Sequence, residues 1–301
     1  MISKKLNIGD TIGLIAPAGP LPKEEIDSKI EYLENLGFKT CKGKYIYDKL
    51  GYLAGTDKHR AWDLMDMFLN PEVCAILSVR GGYGSMRMLP YIDFNIIEKN
   101  PKIFIGFSDI TALLNSIYKK TSLITFHGPM LSSNLNDELS LNSMLNILTG
   151  KEFISESDDK LKIENSGLTE GILVGGNLCL ISSLLGTDYE IDIQDKILFI
   201  EDVFEPPYKI DRMLTSLLLA NKLQNVKGFI LGQFTDCSLP HYERSLTLQQ
   251  VIEDRILSLN KPTISNFMSG HSYPKFTVPI GAKIKLDCIN GEIALLENVV
   301  K

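Results

Sequence analysis

The sequence predicts an α/β protein of two domains. Three observations carry this. Short apolar runs alternate with segments of helical periodicity through the first half, the pattern of a parallel sheet with crossover helices. The composition turns polar and charged between about residues 149 and 170. The chain, at 301 residues, is long for a single compact core.

Taken in order, TIGLIAPAG (residues 11–19) reads as a strand running into a loop. Residues 23–36 follow as a helix, with Ile26, Ile30, Leu33 and Leu36 on one face and Gly37 closing it. Residues 61–69 are a second helix. VCAILSV (73–79) is a continuous apolar strand buried on both faces, KIFIG (102–106) a third strand and SLITFHGP (122–129) a fourth. The polar stretch GKEFISESDDKLKIENSGLTEG places the domain junction, so the expected boundaries are 1–150, a linker at 151–170, and 171–301. Beyond it come GILVGG (171–176), a helical LCLISSLL, the strand KILFI (196–200), a helix around 211–220 and the strand VKGFILG (226–232). VPIGAKIKLDCINGEIALLE then reads as extended strands with a turn at Asn290 and Gly291.

Hydrophobic residues at 44% and charged residues at 23% describe an ordinary globular protein. A net charge of −6, with scattered lysines, argues against a nucleic-acid partner, which wants a basic stripe. No stretch approaches a membrane span, and the N-terminus lacks an apolar signal region. Five cysteines without a CxxC suit reduced thiols, with Cys74, Cys179 and Cys288 as small core residues. The expectation is a soluble cytoplasmic protein with no membrane partner.

Three stretches hold candidate chemistry. In IFIGFSDITALL (103–114) a strand stops at a glycine and a helix begins at Ser108 and Asp109. Either residue could cap the helix through its side-chain oxygen, or the turn is a nucleophile elbow presenting Ser108. In SVRGGYGSMRMLPYID (78–93) glycines follow a strand directly. Gly82-x-Gly84 begins a dinucleotide fingerprint, but Arg87 holds the third glycine's place, which weakens a nucleotide-dependent oxidoreductase. The cluster is either a plain tight turn or a loop whose backbone amides approach a bound oxyanion. KILFIEDVFEPPYKIDRML (196–214) puts Glu201, Asp202 and Glu205 after a buried strand, either a solvated acidic turn or a site. No HxxH or HxxxH supplies imidazoles beside them, so no metal is expected.

The four histidines make the search for a base short. His59 lies in a charged helix start, His241 in a polar loop, and His127 after an apolar strand. His271 sits in MSGHSYPKFTVPIGA beside a glycine, a placement that suits a ring reaching across a cleft. Ser108, Glu201 and His271 thus stand in the chain order serine, acid, histidine and supply the nucleophile, carboxylate and base that acyl transfer needs. Spacing suggests this set; only geometry establishes it.

GDTIGLIAPAG, VRGGYGSMRML, KIFIGFSDITAL, FHGPM, GGNLCLISSLLGTDY, LFIEDVFEPPYKIDRMLT and SGHSYPKFTVPIGA occur in this order. Over nearly the whole chain they resemble the LD-carboxypeptidase family of serine peptidases, which includes muramoyltetrapeptide carboxypeptidases and microcin C immunity peptidases. The resemblance implies that Ser108 is the nucleophile, Glu201 the triad acid and His271 the base, and it turns the Ser108 question towards the elbow. The amides of Gly82 and Asp109 are then the expected oxyanion donors. It implies a flavodoxin-like or amidotransferase-like parallel-sheet domain followed by a smaller β-rich domain, usually as a homodimer. The implied reaction removes a terminal D-alanine from a murein tetrapeptide in cell-wall recycling, without metal or cofactor. The short chain and the EDVFEPPYKIDRML stretch favour this branch over cleavage of an aminoacyl-nucleotide amide. A non-catalytic peptidoglycan-fragment binder is a third possibility, which an intact Ser, Glu and His set speaks against. Arg80 and Arg212 are candidates for the terminal carboxylate on charge alone. Phe107 stands where the family frequently has tyrosine, and Lys275 where it often has asparagine.

Overall fold

The computed structural model of the protein describes residues 1–151, 161–239 and 243–301. Its contacts divide the chain into two units. The first is Met1–Glu152 with Phe276–Gly281 and Asn298–Lys301; the second is Phe153–Lys275 with Ala282–Glu297.

The first unit alternates strand and helix: β1 (Thr11–Ile15), α1 (Lys23–Asn35), β2 (Lys39–Lys42), α2 (Asp57–Leu69), β3 (Val73–Ser78), α3 (Ser85–Met88), α4 (Phe94–Lys99), β4 (Ile103–Gly106), α5 (Thr111–Thr121), β5 (Thr125–His127) and α6 (Glu138–Leu148). The five strands are parallel in the order β2-β1-β3-β4-β5, the flavodoxin-like order. A sixth strand, Val278–Ile280, adds antiparallel to β5 from far down the chain. It carries Pro279, which cannot donate to a ladder and is at home on an edge strand. Strand β4 is buried at every position, as a strand covered by helices on both faces should be. Helix α1 buries Ile26, Ile30 and Leu33, and the chain leaves it through Gly37 at φ 95°.

Two boundaries differ from the periodicity. Helix α2 starts at Asp57, before residue 61, because the Thr56 hydroxyl accepts the His59 amide and caps it. Strand β5 is only three residues long, because Ser122 takes the left-handed position that ends α5.

The second unit runs β6 (Lys162–Asn165), β7 (Leu168–Asn177), α7 (Leu178–Ser183), β8 (Ile197–Val203), α8 (Pro207–Leu219), β9 (Gly228–Thr235), α9 (Leu248–Arg255) and β10 (Thr263–Ser265). With Val278–Ile280 as β11, the chain then returns to this unit for β12 (Lys283–Asp287) and β13 (Glu292–Leu295). The sheet order is β13-β12-β7-β8-β9-β10-β6. Strands β7 to β10 are parallel, and β6, β12 and β13 pair antiparallel. The turn from β12 to β13 passes through Asn290 and Gly291, with Gly291 at φ 75°.

These units depart from the boundaries 1–150, 151–170 and 171–301. Part of the expected linker lies outside the described residues, and most of the remainder is strand: β6 and the start of β7 fall within it. The polar sequence there suits β6 because β6 is a sheet edge, where charge blunts unwanted pairing. The chain end likewise belongs to the first unit, since Ser3 bridges to Val300 and the Lys5 amide donates to the Lys301 carbonyl at 2.9 Å.

All five cysteines are free. Cys288 is buried as expected, but Cys74 and Cys179 are only half-buried, and Cys237 takes a core place instead. Among the described residues no helix is long and apolar enough to cross a membrane.

Candidate active site

Ser108 follows β4, one residue beyond Phe107, in the left-handed region at φ 63°. A non-glycine residue pays strain for that conformation, and such strain collects at functional turns. The residue is not a cap: the turn from Ser108 to Ile110 has no side-chain cap bond, and the Asp109 carboxylate points elsewhere. Between residues 102 and 117, Ser108 alone is not buried. Gly106 makes this tight corner possible, because a Cβ there would lie 2.8 Å from Ile110 Cγ2 and 3.0 Å from Ser78 Oγ. A strand, a strained serine and a helix in close succession are the backbone geometry that a nucleophile elbow would need.

The glycine loop after β3 lies against this elbow. A Cβ on Gly81 would stand 3.0 Å from Ser108 Cβ, 3.1 Å from its Oγ and 3.5 Å from the Asp109 amide nitrogen. Gly82 follows at φ 111°, and the Gly81 carbonyl accepts the Gly19 amide at 3.0 Å from the loop after β1. These loops sit at the carboxyl ends of neighbouring strands, where the strand order reverses, the usual ligand crevice of an open α/β sheet. A cavity of about 560 Å³ opens there, lined by Gly19, Pro20, Tyr52, Arg80, Gly82 and Tyr83.

Ser85 and Arg60, which the sequence reading passed over, hold the loop. The Asp109 carboxylate accepts the Ser85 amide at 2.7 Å while the Ser85 hydroxyl donates to the Asp109 carbonyl, tying the elbow to α3. Burial raises the Asp109 carboxyl above its ordinary range, against the bonds from Ser85 and Gly84. Buried Arg60 donates to the carbonyls of Pro17 and Gly84 and pairs with Asp57. A capped charge pattern three residues apart, Asp57 to Arg60, was the only trace of this in the sequence.

In the second unit, β8 carries Glu201 and Asp202 at its carboxyl end. The pairing of β8 with β9 shifts register between Ile200 and Asp202, a bulge of the kind that re-aims a side chain beside a site. Glu201 is wholly buried, and its Oε2 lies 2.7 Å from His271 Nδ1. An ionised carboxylate can only accept, so this contact puts the proton on Nδ1 and leaves Nε2 as the basic nitrogen. Asp202 turns the other way, accepting from the Val203 amide of its own strand and from Asn177 and Cys179 at the start of α7; burial pushes it up to about 6. Glu205 pairs with Lys209 at 3.1 Å.

The loop that carries His271 is fastened to β9. The Gln233 side chain donates to the Pro274 carbonyl at 3.1 Å and accepts the Ser272 amide at 3.0 Å, so it brackets the histidine. Its own amide donates to the Ser269 carbonyl at 2.9 Å. Gly232 lets this loop come close: a Cβ there would overlap the Ser269 carbonyl and crowd Glu201 Cβ at 3.3 Å. The sequence marks Gln233 only as a polar residue ending a buried strand.

The other candidates resolve individually. His127 is fully buried in β5, edge-on to Phe107 at 6.0 Å between ring centres. His59 stacks on Tyr45 at 3.8 Å and pairs with Asp48 at 2.9 Å. His241 lies outside the described residues. Arg80 lines the cavity and reaches the Pro20 carbonyl at 3.4 Å, whereas Arg212 is exposed on α8 over the Tyr208 ring.

Comparison with known proteins decides the kinship. Residues 12–128 match the LD-carboxypeptidase N-terminal domain, and residues 170–286 match the LD-carboxypeptidase C-terminal domain. The probable murein peptide carboxypeptidase of Bacillus subtilis (strain 168) is 44% identical over 292 residues, covering 94% of this chain and 91% of its own. This chain belongs to the LD-carboxypeptidase family. It is a serine-type carboxypeptidase of α/β fold. Among solved structures of the family, MccF in complex with glutamyl sulfamoyl guanosine superposes with a TM-score of 0.90 at 28% identity, over 100% of this chain and 99% of that one. The muramoyltetrapeptide carboxypeptidase of Oxalobacter formigenes gives 0.82 at 28% identity, over 95% and 97%.

Proposed function

We propose that this carboxypeptidase removes the terminal D-alanine from murein tetrapeptides through an acyl-enzyme on Ser108, as a step of cell-wall recycling in the cytoplasm. The observation that carries the reading is the left-handed Ser108 at the strand-to-helix turn, a conformation with no use to a simple cap. The kinship with the murein peptide carboxypeptidase of Bacillus subtilis supports the substrate class.

In this mechanism His271 Nε2 takes the Ser108 proton as the hydroxyl attacks the carbonyl of the L-centre. Glu201 holds the ring tautomer and stabilises the imidazolium that forms. The Gly82 and Asp109 amides meet the oxyanion, each donor being worth about 10²–10³ in rate. The imidazolium then protonates the leaving amine of D-alanine, and water attacks the acyl-enzyme with His271 again as base. Arg80, which lines the cavity beside the glycine loop, would receive a carboxylate of the substrate. No metal or cofactor is needed for these steps, and the active form is taken to be a homodimer, as the family resemblance implies.

A second reading rests on the 0.90 superposition with MccF: cleavage of an aminoacyl-nucleotide amide by the same residues. Measuring kcat/KM for a murein tetrapeptide beside an aminoacyl sulfamoyl nucleoside separates the two. The first reading expects the tetrapeptide to be favoured by orders of magnitude. A preference for the nucleoside would overturn it.

A further inference from the structure

Two tyrosines of the first unit stand exposed where folding gains little from them. Tyr52 and Tyr83 keep 67% and 49% of their surface open, yet their rings meet at 5.7 Å between centres with 63° between planes. Both loops are fastened. Tyr52 is at the tip of a two-residue turn in which Leu50 and Leu53 exchange both backbone bonds, at 2.8 and 3.0 Å, and Gly51 takes φ 60°. The Ala54 amide then donates to the Ala18 carbonyl at 2.8 Å. Tyr83 stands between Gly82 and Gly84, at φ 111° and 132°, and buried Arg60 holds the Gly84 carbonyl. The two turns interlock, since a Cβ on Gly84 would lie 2.6 Å from Leu53 Cδ2. The rings therefore make a fixed apolar corner. It lines the cavity of about 560 Å³ that Gly82 and Arg80 also line, a space far larger than the methyl of an alanine.

We propose that Tyr52 and Tyr83 set specificity for the leaving group: they receive the side chain of the terminal D-residue, so the enzyme releases large apolar and aromatic D-amino acids as well as D-alanine. This rests on the reading of the protein as a carboxypeptidase acting through Ser108. The terminal carboxylate is borne on the carbon bonded to the scissile nitrogen, which makes it the substrate carboxylate nearest the reacting carbonyl. Arg80 stands two residues before the Gly82 amide and is the cation that meets it. The Arg80 side chain lies along the Gly19–Pro20 turn, where a Cβ on Gly19 would be 3.5 Å from its Nε and the Pro20 carbonyl accepts Nη1 at 3.4 Å. Carboxylate and side chain share one carbon, so anchoring the first on Arg80 delivers the second to the tyrosine corner of the same cavity. A methyl leaves that corner wet, whereas a larger apolar side chain displaces the water and buries apolar surface on both partners. The bond chemistry is unchanged. The amide C–N bond to the terminal residue breaks, water supplies a hydroxyl to the carbonyl and a proton to the amine, and the free D-amino acid leaves.

The test is a substrate series on the full chain. Murein tetrapeptides identical but for a last residue of D-alanine, D-methionine or D-phenylalanine are compared, with the released amino acid quantified by mass spectrometry. The wild type should cleave the two larger termini with kcat/KM within about tenfold of the D-alanine peptide, or above it. In Tyr52→Ala and in Tyr83→Ala the ratio of kcat/KM for D-phenylalanine to that for D-alanine should fall about tenfold or more. Both rings are exposed, so circular dichroism of these variants should match wild type. Cleavage confined to the D-alanine peptide would overturn the proposal, and this arm needs no variant. Equal losses on all three peptides in the tyrosine variants would overturn it too, by assigning the rings to another part of the substrate. A wild type inert towards all three would instead remove the peptidase reading itself.

Discussion

Ser108, His271 and Glu201 make distinguishable demands at the scale of single residues. Replacing Ser108 or His271 with alanine should lower kcat by about 10⁴- to 10⁶-fold while circular dichroism and the unfolding midpoint stay near wild type. Near-normal turnover in either would remove that residue from the chemistry. Glu201→Gln keeps the shape but offers Nδ1 the wrong partner and should cost about 10⁴-fold. The sequence singles out all three as candidates, because a serine after an apolar strand, an acid after another and a histidine in a glycine-flanked loop are local patterns. What the sequence could not show was the φ of Ser108, which decides between cap and elbow, nor the side on which Asp202 accepts its bonds. Both depend on packing far away in the chain. Arg60 and Gln233 escaped for the same reason: their work is to bond backbone carbonyls and amides tens of residues distant.

At the scale of elements, the loop from β10 to β11 is only as accurate as its fastening to β9. Gln233→Leu removes both bonds that bracket His271 and should reduce kcat about 10- to 100-fold with little change in KM. Steady-state kinetics on the folded variant would show it, and a rise in KM alone would mean the loop serves binding instead. The close approach of β7 to β8 makes a stability prediction. Gly175 is at φ 127°, and a Cβ there would overlap the Phe199 carbonyl oxygen. Gly175→Ala should therefore cost roughly 3 kcal/mol or more in urea unfolding, where Gly9→Ala, at φ 90° in open space, should cost only about 1 kcal/mol. Equal costs would contradict the packing argument. Strands β3, β4, β8 and β9 were legible from their apolar runs. The early start of α2 and the shortness of β5 were not, since a cap and a left-handed serine ended or began them against the periodicity.

For the molecule as a whole, two buried acids tie stability to pH. Burial pushes Asp63 and Asp202 each up to about 6 from an ordinary 3.8. The folded state thus binds their protons more tightly than the unfolded chain. Their contribution is present in full below about pH 4 and is lost as pH rises through 6. Asp202→Asn should therefore gain on wild type as pH climbs from 4 to 7, read from urea midpoints at each pH; a constant difference would contradict the burial. The two-unit organisation was visible in the polar stretch near residue 150. Its true bookkeeping was not, because β11 and the last four residues return to the first unit by pairing with strands and termini that lie far off in sequence.

The most direct test of the central claim is mass spectrometry of a muramyl tetrapeptide ending in D-alanine, incubated with the protein and, in parallel, with its Ser108→Ala variant. Loss of one alanine with the wild type alone is the predicted result. An intact tetrapeptide with the wild type, or equal loss with the variant, would contradict it.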